Sequence, residues 1–471
     1  MDETNRKKSM ARNAAILTIG KICTQGISFL MLPLYTSVLD TTEYGVFDLL
    51  VTYATLLLPL VNMQIDQGFF RYMLDVRNKQ DEQKRLFTTV ISGTFAQAIF
   101  FLLLFCLIVP FLLLNHSWFL LLYVVTHLFT AVLLQFARGL GEIRKYAFAS
   151  FLSAGFTVIF NLITLVPLRM GLSGLFLSTI LAQVITMVYL LIATKSWKYF
   201  LIKKFDRSLF SKVCKYSFPL VPNNLAWWVV NSSDRLVISH FIGVAANGIF
   251  TVASKFSNVF ITFYNVVNLS WTETVSLHYD DEDRDEFLSE MMTTMFGLFS
   301  SACFVVVALM PFIYPLLVNV KYRDGYNQVL ILMYAMLFRV LVGMYSCIYI
   351  ATKQSKKVAI TSISAAVINL LCDLLLVNKI GLYAASISSL IAFSIMFIIR
   401  FFDVNRTVKM RIERKIACVS FLVGAIVLGA YYSNRFALYL TSLFISVAYA
   451  LFANRSLIKS VWQMLRFGHA K

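Results

Sequence analysis

Apolar blocks of about twenty residues, each closed by a short polar or charged stretch, recur from one end of this chain to the other. That length is what an α-helix needs to cross a hydrocarbon layer ~30 Å thick at ~1.5 Å per residue. Roughly fourteen blocks can be read, over residues 10–38, 44–72, 86–110, 118–138, 146–168, 173–194, 215–240, 244–272, 287–313, 326–351, 358–377, 382–402, 415–432 and 436–454. The pattern predicts an all-α polytopic membrane protein. The first block follows a charged start, Met1 to Arg12. It is about twice as long as the apolar region of a secretory leader and lacks a small-residue cleavage site, so it is expected to remain as a span.

Polar residues inside the blocks are not scattered. In the second block Asp48, Thr52, Thr55, Pro59, Asn62 and Asp66 recur every three or four positions, the spacing of one helical face. A displacement of 203 residues lands on a second such row, Thr251, Lys255, Asn258, Thr262 and Asn265, in the eighth block, which then ends at an apolar Leu269. The first block carries Thr18, Lys21, Gln25 and Ser28; the seventh carries Asn224, Trp228, Asn231 and Arg235, three of the four positions being related by the same displacement or by one added turn. E-Y-G-V-F from Glu43 and A-N-G-I-F from Ala246 repeat at this offset too. Asn161 with Gly171-Leu-Ser-Gly-Leu is echoed, at a slightly longer offset, by Asn369 with Gly381-Leu-Tyr-Ala-Ala. Spans one to six thus correspond to seven to twelve. The expected organisation is an N-terminal lobe (1–205), a C-terminal lobe (206–410) and two appended helices with a tail (411–471). Parallel repeats of this kind belong to transporters whose substrate binds between halves near mid-membrane.

Composition agrees with the pattern: 59% of the 471 residues are hydrophobic and 14% charged, against ~25% charged in soluble domains. Mean hydropathy is +0.74. The formal charge of +18 is spread over alternate loops and not gathered on one soluble face. Roughly 32 of the 42 Lys and Arg fall on the termini and even-numbered loops, which predicts that both termini are cytoplasmic. The acidic run from Asp280 to Glu286 leaves that orientation unchanged, because acids contribute little to it. Its D-x-D reads as a solvated helix entry. Lys195 to Arg207, basic and aromatic together, reads as an interfacial segment in contact with anionic headgroups. Seven cysteines without C-x-x-C spacing and five scattered histidines give neither a disulfide framework nor a metal site. No phosphate-binding glycine loop is present, and no cofactor is expected.

Depth sorts the buried charges. Lys21, Lys255 and Arg339 fall ~16 to 20 Å along their helices, near the midplane. A lone cation there is unfavourable by at least ~2.5 kcal/mol, which calls for water, an acidic partner or an anionic ligand. Asp66, Asp234 and Asp373 are the acids available for pairing, or for coupling to an ion or proton. Arg71, about 140° around the helix from Asp66, is expected to reach headgroups. The lesser alternative for the Asn, Thr and Ser rows is packing contact between helices.

L-P-L-Y-T-S-V-L-D-T-T-E-Y-G-V-F from Leu32, I-D-Q-G-F-F-R-Y from Ile65, Y-S-F-P-L-V-P from Tyr216, S-S-D-R-L-V-I from Ser232 and N-G-I-F-T-V-A-S-K-F from Asn247 together resemble the Wzx-type polysaccharide flippases of the MOP superfamily, which serve O-antigen and capsule assembly. The resemblance spans nearly the whole chain. It implies fourteen spans in a MATE-like fold, a cationic central cavity, and movement of an undecaprenyl-pyrophosphate-linked oligosaccharide across the bacterial cytoplasmic membrane, with membrane lipid and other polysaccharide-assembly proteins as partners and no nucleic acid. The substrate-binding candidates are Lys21, Gln25, Asn62, Asn224, Trp228, Asn231, Arg235, Lys255, Asn258 and Arg339. Such a protein is a transporter and not an enzyme. Two other readings predict different behaviour: a multidrug or cation antiporter would depend on its acids, and a membrane polysaccharide polymerase or ligase would need a large external loop.

Overall fold

The computed structural model describes residues 26–459 apart from Ser28, Leu113 and Leu114, together with Gln463. Among these residues all regular structure is helical, and the chain divides after Arg235 into two compact units. The first holds α1 (Leu32–Val38), α2 (Thr41–Asn62), α3 (Ile65–Asp75), α4 (Gln80–Leu112), α5 (Ser117–Gly139), α6 (Ile143–Leu165), α7 (Gly171–Thr194) and α8 (Arg207–Ser217). Two single-turn 3-10 segments, Ser196–Lys198 and Ile202–Lys204, join α7 to α8. Helix α9 (Leu220–Phe241) carries the chain into the second unit, built from α10 (Val244–Leu277), α11 (Arg284–Leu317), α12 (Tyr326–Ala351), α13 (Ser355–Ile380), α14 (Tyr383–Val404), α15 (Arg414–Tyr432) and α16 (Phe436–Ala453).

Twelve helices among the described residues are long and apolar enough to cross a membrane. They answer twelve of the fourteen expected spans. Most of the first expected span lies outside the described residues. The seventh forms helix α9 as expected, but Asn223, Asn224, Asn231, Asp234 and Arg235 make that helix too polar to count with the others.

The second expected span needs correction. It is not one helix over 44–72 but two, because Met63 and Gln64 both take left-handed backbone conformations, with φ of 50° and 56°. Pro59, within the last turn of α2, has no N–H to close the bond to residue 55, so the helix is already weakened there. The other end of α2 is firmly set: Asp40 Oδ1 accepts from the Glu43 N–H at 2.7 Å, and Glu43 Oε2 accepts from the Asp40 N–H at 3.2 Å. Beyond the break α3 is pressed against α8. A Cβ at Gly68 would sit 2.1 Å from Ser217 Oγ, so only glycine permits the approach without movement. Phe69 then enters a core in which Phe87 and Phe136 lie 4.4 Å apart and Tyr199 meets Phe136 edge-on at 5.0 Å.

In the second unit α10 runs unbroken for 34 residues. Trp271 is buried in it and donates from Nε1 to the Met344 carbonyl of α12 at 3.2 Å. Helices α15 and α16 pack on α11, where Asn454 Nδ2 donates to Ser301 Oγ at 2.9 Å and the Ser300 and Tyr449 hydroxyls lie 2.8 Å apart.

Candidate functional site

In the first unit the polar rows of α2 and α9 meet. Arg235 Nε donates to Asp48 Oδ2 at 2.9 Å, Trp228 Nε1 to Thr55 Oγ1 at 3.1 Å, and Asn224 Nδ2 to Gln64 Oε1 at 2.8 Å. The partners run in opposite directions: Asp48 and Thr55 are seven residues apart, and Asn224, Trp228 and Arg235 are separated by four and seven, the spacing of one helical face, while Gln64 lies just beyond the end of α2. The Arg235 and Asp48 side chains are 15% and 17% exposed, so this ion pair is largely shielded from water. Arg235 also donates from Nη1 to the Asn231 carbonyl, while the Asn231 side chain turns back to the Trp227 carbonyl.

Around the helix break a second polar group forms. Asp66 is 7% exposed; its Oδ1 accepts from Asn62 Nδ2 at 2.6 Å and its Oδ2 from Gln67 Nε2 at 2.8 Å. Two amide donors satisfy the carboxylate, and no cation forms an ion pair with it among the described residues. Gln97 of α4 donates to the Asn62 carbonyl at 3.2 Å. Asn62 Oδ1 and Gln97 Oε1 are buried without a hydrogen-bond partner among the described residues. Such orphaned acceptors are uncommon in folded proteins and concentrate where something else binds or moves. Asp66 lies on α3, beyond the break, and meets the end of the α2 row through Asn62, while Arg71 is paired with Asp75.

The second unit places its candidates differently. Lys255 is half-buried on α10 and Asn258 is exposed one turn on. Arg339, on α12, lies over the Phe393 ring at 5.6 Å. Asp373 on α13 is fully buried; in the first unit Asp234 on α9 is nearly so. Lys21 and Gln25 lie outside the described residues.

Three contributors escape a reading of the sequence. Gln64 and Gln97 hold the break together, yet a lone Gln in or beside an apolar helix carries no spacing signal. Arg400 has the position of an interfacial residue, at the end of a span. It is 1% exposed and ties α14 to α12 and α13. Its Nε and Nη2 donate to Thr361 Oγ1 at 3.0 and 2.7 Å, Nη1 to the Val342 carbonyl at 3.2 Å and to Ser346 Oγ, and Nη2 to Ser362 Oγ at 3.3 Å. With its N–H groups engaged by neutral oxygens it clamps helices and has no donor left for a ligand. Only the hydroxyls of two other helices reveal that role, and their proximity is tertiary.

A family model described as "Polysaccharide biosynthesis protein" matches residues 10–271. No curated protein matches the chain. Among solved structures, a lipid II flippase MurJ in an inward closed conformation aligns with a TM-score of 0.71 at 14% identity, over 96% of this chain and 99% of that one. An inward-facing multidrug resistance MATE family transporter of the MOP superfamily aligns with a TM-score of 0.67 at 14% identity, over 81% of this chain and 94% of that one. An outward-facing transporter of that same family gives 0.57 at 15% identity, over 84% and 94%.

Proposed function

The chain belongs to the polysaccharide biosynthesis protein family and has the fold of MOP-superfamily transporters, and from that premise we propose that it is a flippase moving undecaprenyl-pyrophosphate-linked oligosaccharide from the cytoplasmic to the outer leaflet of the bacterial cytoplasmic membrane. The family match carries this reading, and a structural neighbour that is itself a lipid II flippase supports it. Both termini are then cytoplasmic, and lobes 1–205 and 206–410 alternate access to a cationic central cavity. Lys21, Lys255 and Arg339 meet the phosphates. Gln25, Asn62, Asn224, Trp228, Asn231 and Asn258 serve the sugars, and the lipid tail stays in the bilayer. Arg235 enters this scheme with its charge already matched by Asp48, so it contributes donors more than net charge. No bond is made or broken.

A second reading, cation antiport, is favoured by one observation: Asp66 is a buried carboxylate satisfied by amides without a cation paired to it among the described residues. Asp66, Asp234 or Asp373 would then couple transport to an ion or proton.

Liposomes holding the purified protein and a fluorescent polyprenyl-pyrophosphate oligosaccharide separate the two. The flippase reading expects the label to cross only with intact protein, and to stop when Lys21 and Lys255 are both replaced by Glu. Normal crossing by folded double variant would overturn the cavity assignment. No crossing with several glycans, together with ion-driven efflux of lipophilic cations that fails in Asp66→Asn, would replace the flippase with the antiporter.

A further inference from the structure

The connection from α7 to α8 belongs neither to the polar rows nor to the helix break, and its construction is unusual for a linker. Between residues 195 and 215 the sequence holds seven bases and one acid, Asp206. Lys195 ends α7 in a left-handed conformation, φ 52°, which turns the chain away from the helix axis directly at the end of a membrane-length span. The segment beyond that turn is not a loose loop. Its backbone is fastened to the start of α4: Thr88 Oγ1 donates to the Tyr199 carbonyl at 3.0 Å and accepts from the Leu201 N–H at 2.9 Å, and Thr89 Oγ1 accepts from the Asp206 N–H at 3.1 Å.

This fastening leaves several large side chains unpacked. Trp197, Ile202 and Phe205 are 56%, 74% and 48% exposed although all three are apolar. Beside them the acids are already engaged, Asp81 with Lys204 and Asp206 with Arg85. Lys203 and Arg207 are exposed and have no acidic partner among the described residues. They border a shallow cavity of about 640 Å³ whose wall also holds Arg85 and three acids, Asp81, Glu82 and Asp206, each already paired with a base, Glu82 with Lys79. Exposed apolar side chains, bases without acids, and a position at the end of a span are the combination that seats a segment in the headgroup layer, with rings toward the acyl chains and cations toward phosphates.

We propose that residues 195–212 form a pre-shaped binding site for an anionic phospholipid of the surrounding bilayer, with Lys203 and Arg207 holding the headgroup phosphate and Trp197, Ile202 and Phe205 lying along the acyl chains. The site is independent of the transported substrate and uses none of the residues assigned to transport. Because the same segment leads into α8, against which α3 is packed at Gly68, the bound lipid steadies the helix on the far side of the break.

The test is titration of the full-length, detergent-purified protein with phosphatidylglycerol or phosphatidylcholine, read as lipid-bound mass by native mass spectrometry. Intact protein should prefer phosphatidylglycerol. Lys203→Gln with Arg207→Gln should weaken that lipid by about 20- to 30-fold, the effect of removing two bases at a charged interface, and leave phosphatidylcholine unchanged. Trp197→Ser with Ile202→Ser should weaken both lipids. Raising ionic strength on the unmodified protein should erase the preference, which keeps the test open if a variant folds poorly. Equal binding of the two lipids, an unchanged phosphatidylglycerol affinity in the folded charge variant, or displacement of the lipid by inorganic phosphate at low concentration would each overturn the proposal.

Discussion

Helices α2 and α3 of the first unit and helix α10 of the second carry the same polar spacing at an offset of 203 residues, yet one is broken and the other is not. The residues at the break explain the difference. Met63 and Gln64 have unbranched Cβ atoms and accept left-handed backbone; their counterparts are Val266 and Val267, for which positive φ is a steric outlier. Asp66, which holds the broken ends together through Asn62 and Gln67, corresponds to Leu269. Gly68, where α3 closes on α8, corresponds to Trp271, which fills the second unit's interior. One half has traded bulk for a close approach and a polar joint, and the other has kept a continuous rod. A joint can change angle where a rod cannot, so motion is expected to concentrate at residues 62–66.

The largest effect should come from the rod. Trp271→Ala removes a buried indole and its bond to Met344, and should lower unfolding free energy by ~3–5 kcal/mol in thermal or denaturant melts of the purified protein. A loss below ~1 kcal/mol would mean that α10 is not anchored through this residue, and the contrast with Gly68 would lose its meaning.

A smaller effect should come from giving the joint the rod's residues. Met63→Val with Gln64→Val forces β-branched side chains into left-handed backbone, at ~1–2 kcal/mol per residue, and removes the Gln64 bond to Asn224. The melting point should fall. If the helix instead closes through the break, a spin-label distance between α2 and α3 should lengthen and narrow. Unchanged stability with unchanged distances would show that the break is not held by the identity of these two residues.

Most of the architecture was legible because membrane length and helical period are local properties: twelve of the apolar blocks became helices of membrane length, most of them close to their expected ends. The rows themselves were legible for the same reason, since Asp48 and Thr55 keep one helical phase and Trp228 and Arg235 another, but their direct hydrogen bonding to each other was not. The hidden features depend on two consecutive dihedrals or on neighbours far along the chain. Nothing in M-Q between two apolar runs announces a pair of left-handed residues. Pro59, the one local hint, reads equally well as a tolerated kink. Arg400 likewise differs from an interfacial arginine only through Thr361, Ser346 and Ser362, hydroxyls that lie on other helices. From sequence a buried cation can be inferred from depth alone, and depth points to Arg339 instead.

The smallest expected effect concerns the buttress that the joint needs and the rod does not. Asp206 caps α8, accepting from the Ser208 and Leu209 N–H groups at 2.8 and 3.1 Å. The Leu209 N–H and then the Arg85 guanidinium hold its carboxyl below the usual carboxylate range. A group depressed in the folded state contributes stability above its unfolded pKa of ~3.9, and that contribution disappears as pH falls through the folded value. Asp206→Asn should therefore lower the melting point at neutral pH, and the gap to the unmodified protein should narrow on acidification below about pH 4. Since an amide oxygen still caps a helix well, the neutral-pH loss reports mainly the charge shared with Arg85. If the gap stayed constant across that range, the capping bond alone would matter. The support beneath α3 would then be no more sensitive to pH than the uninterrupted helix α10.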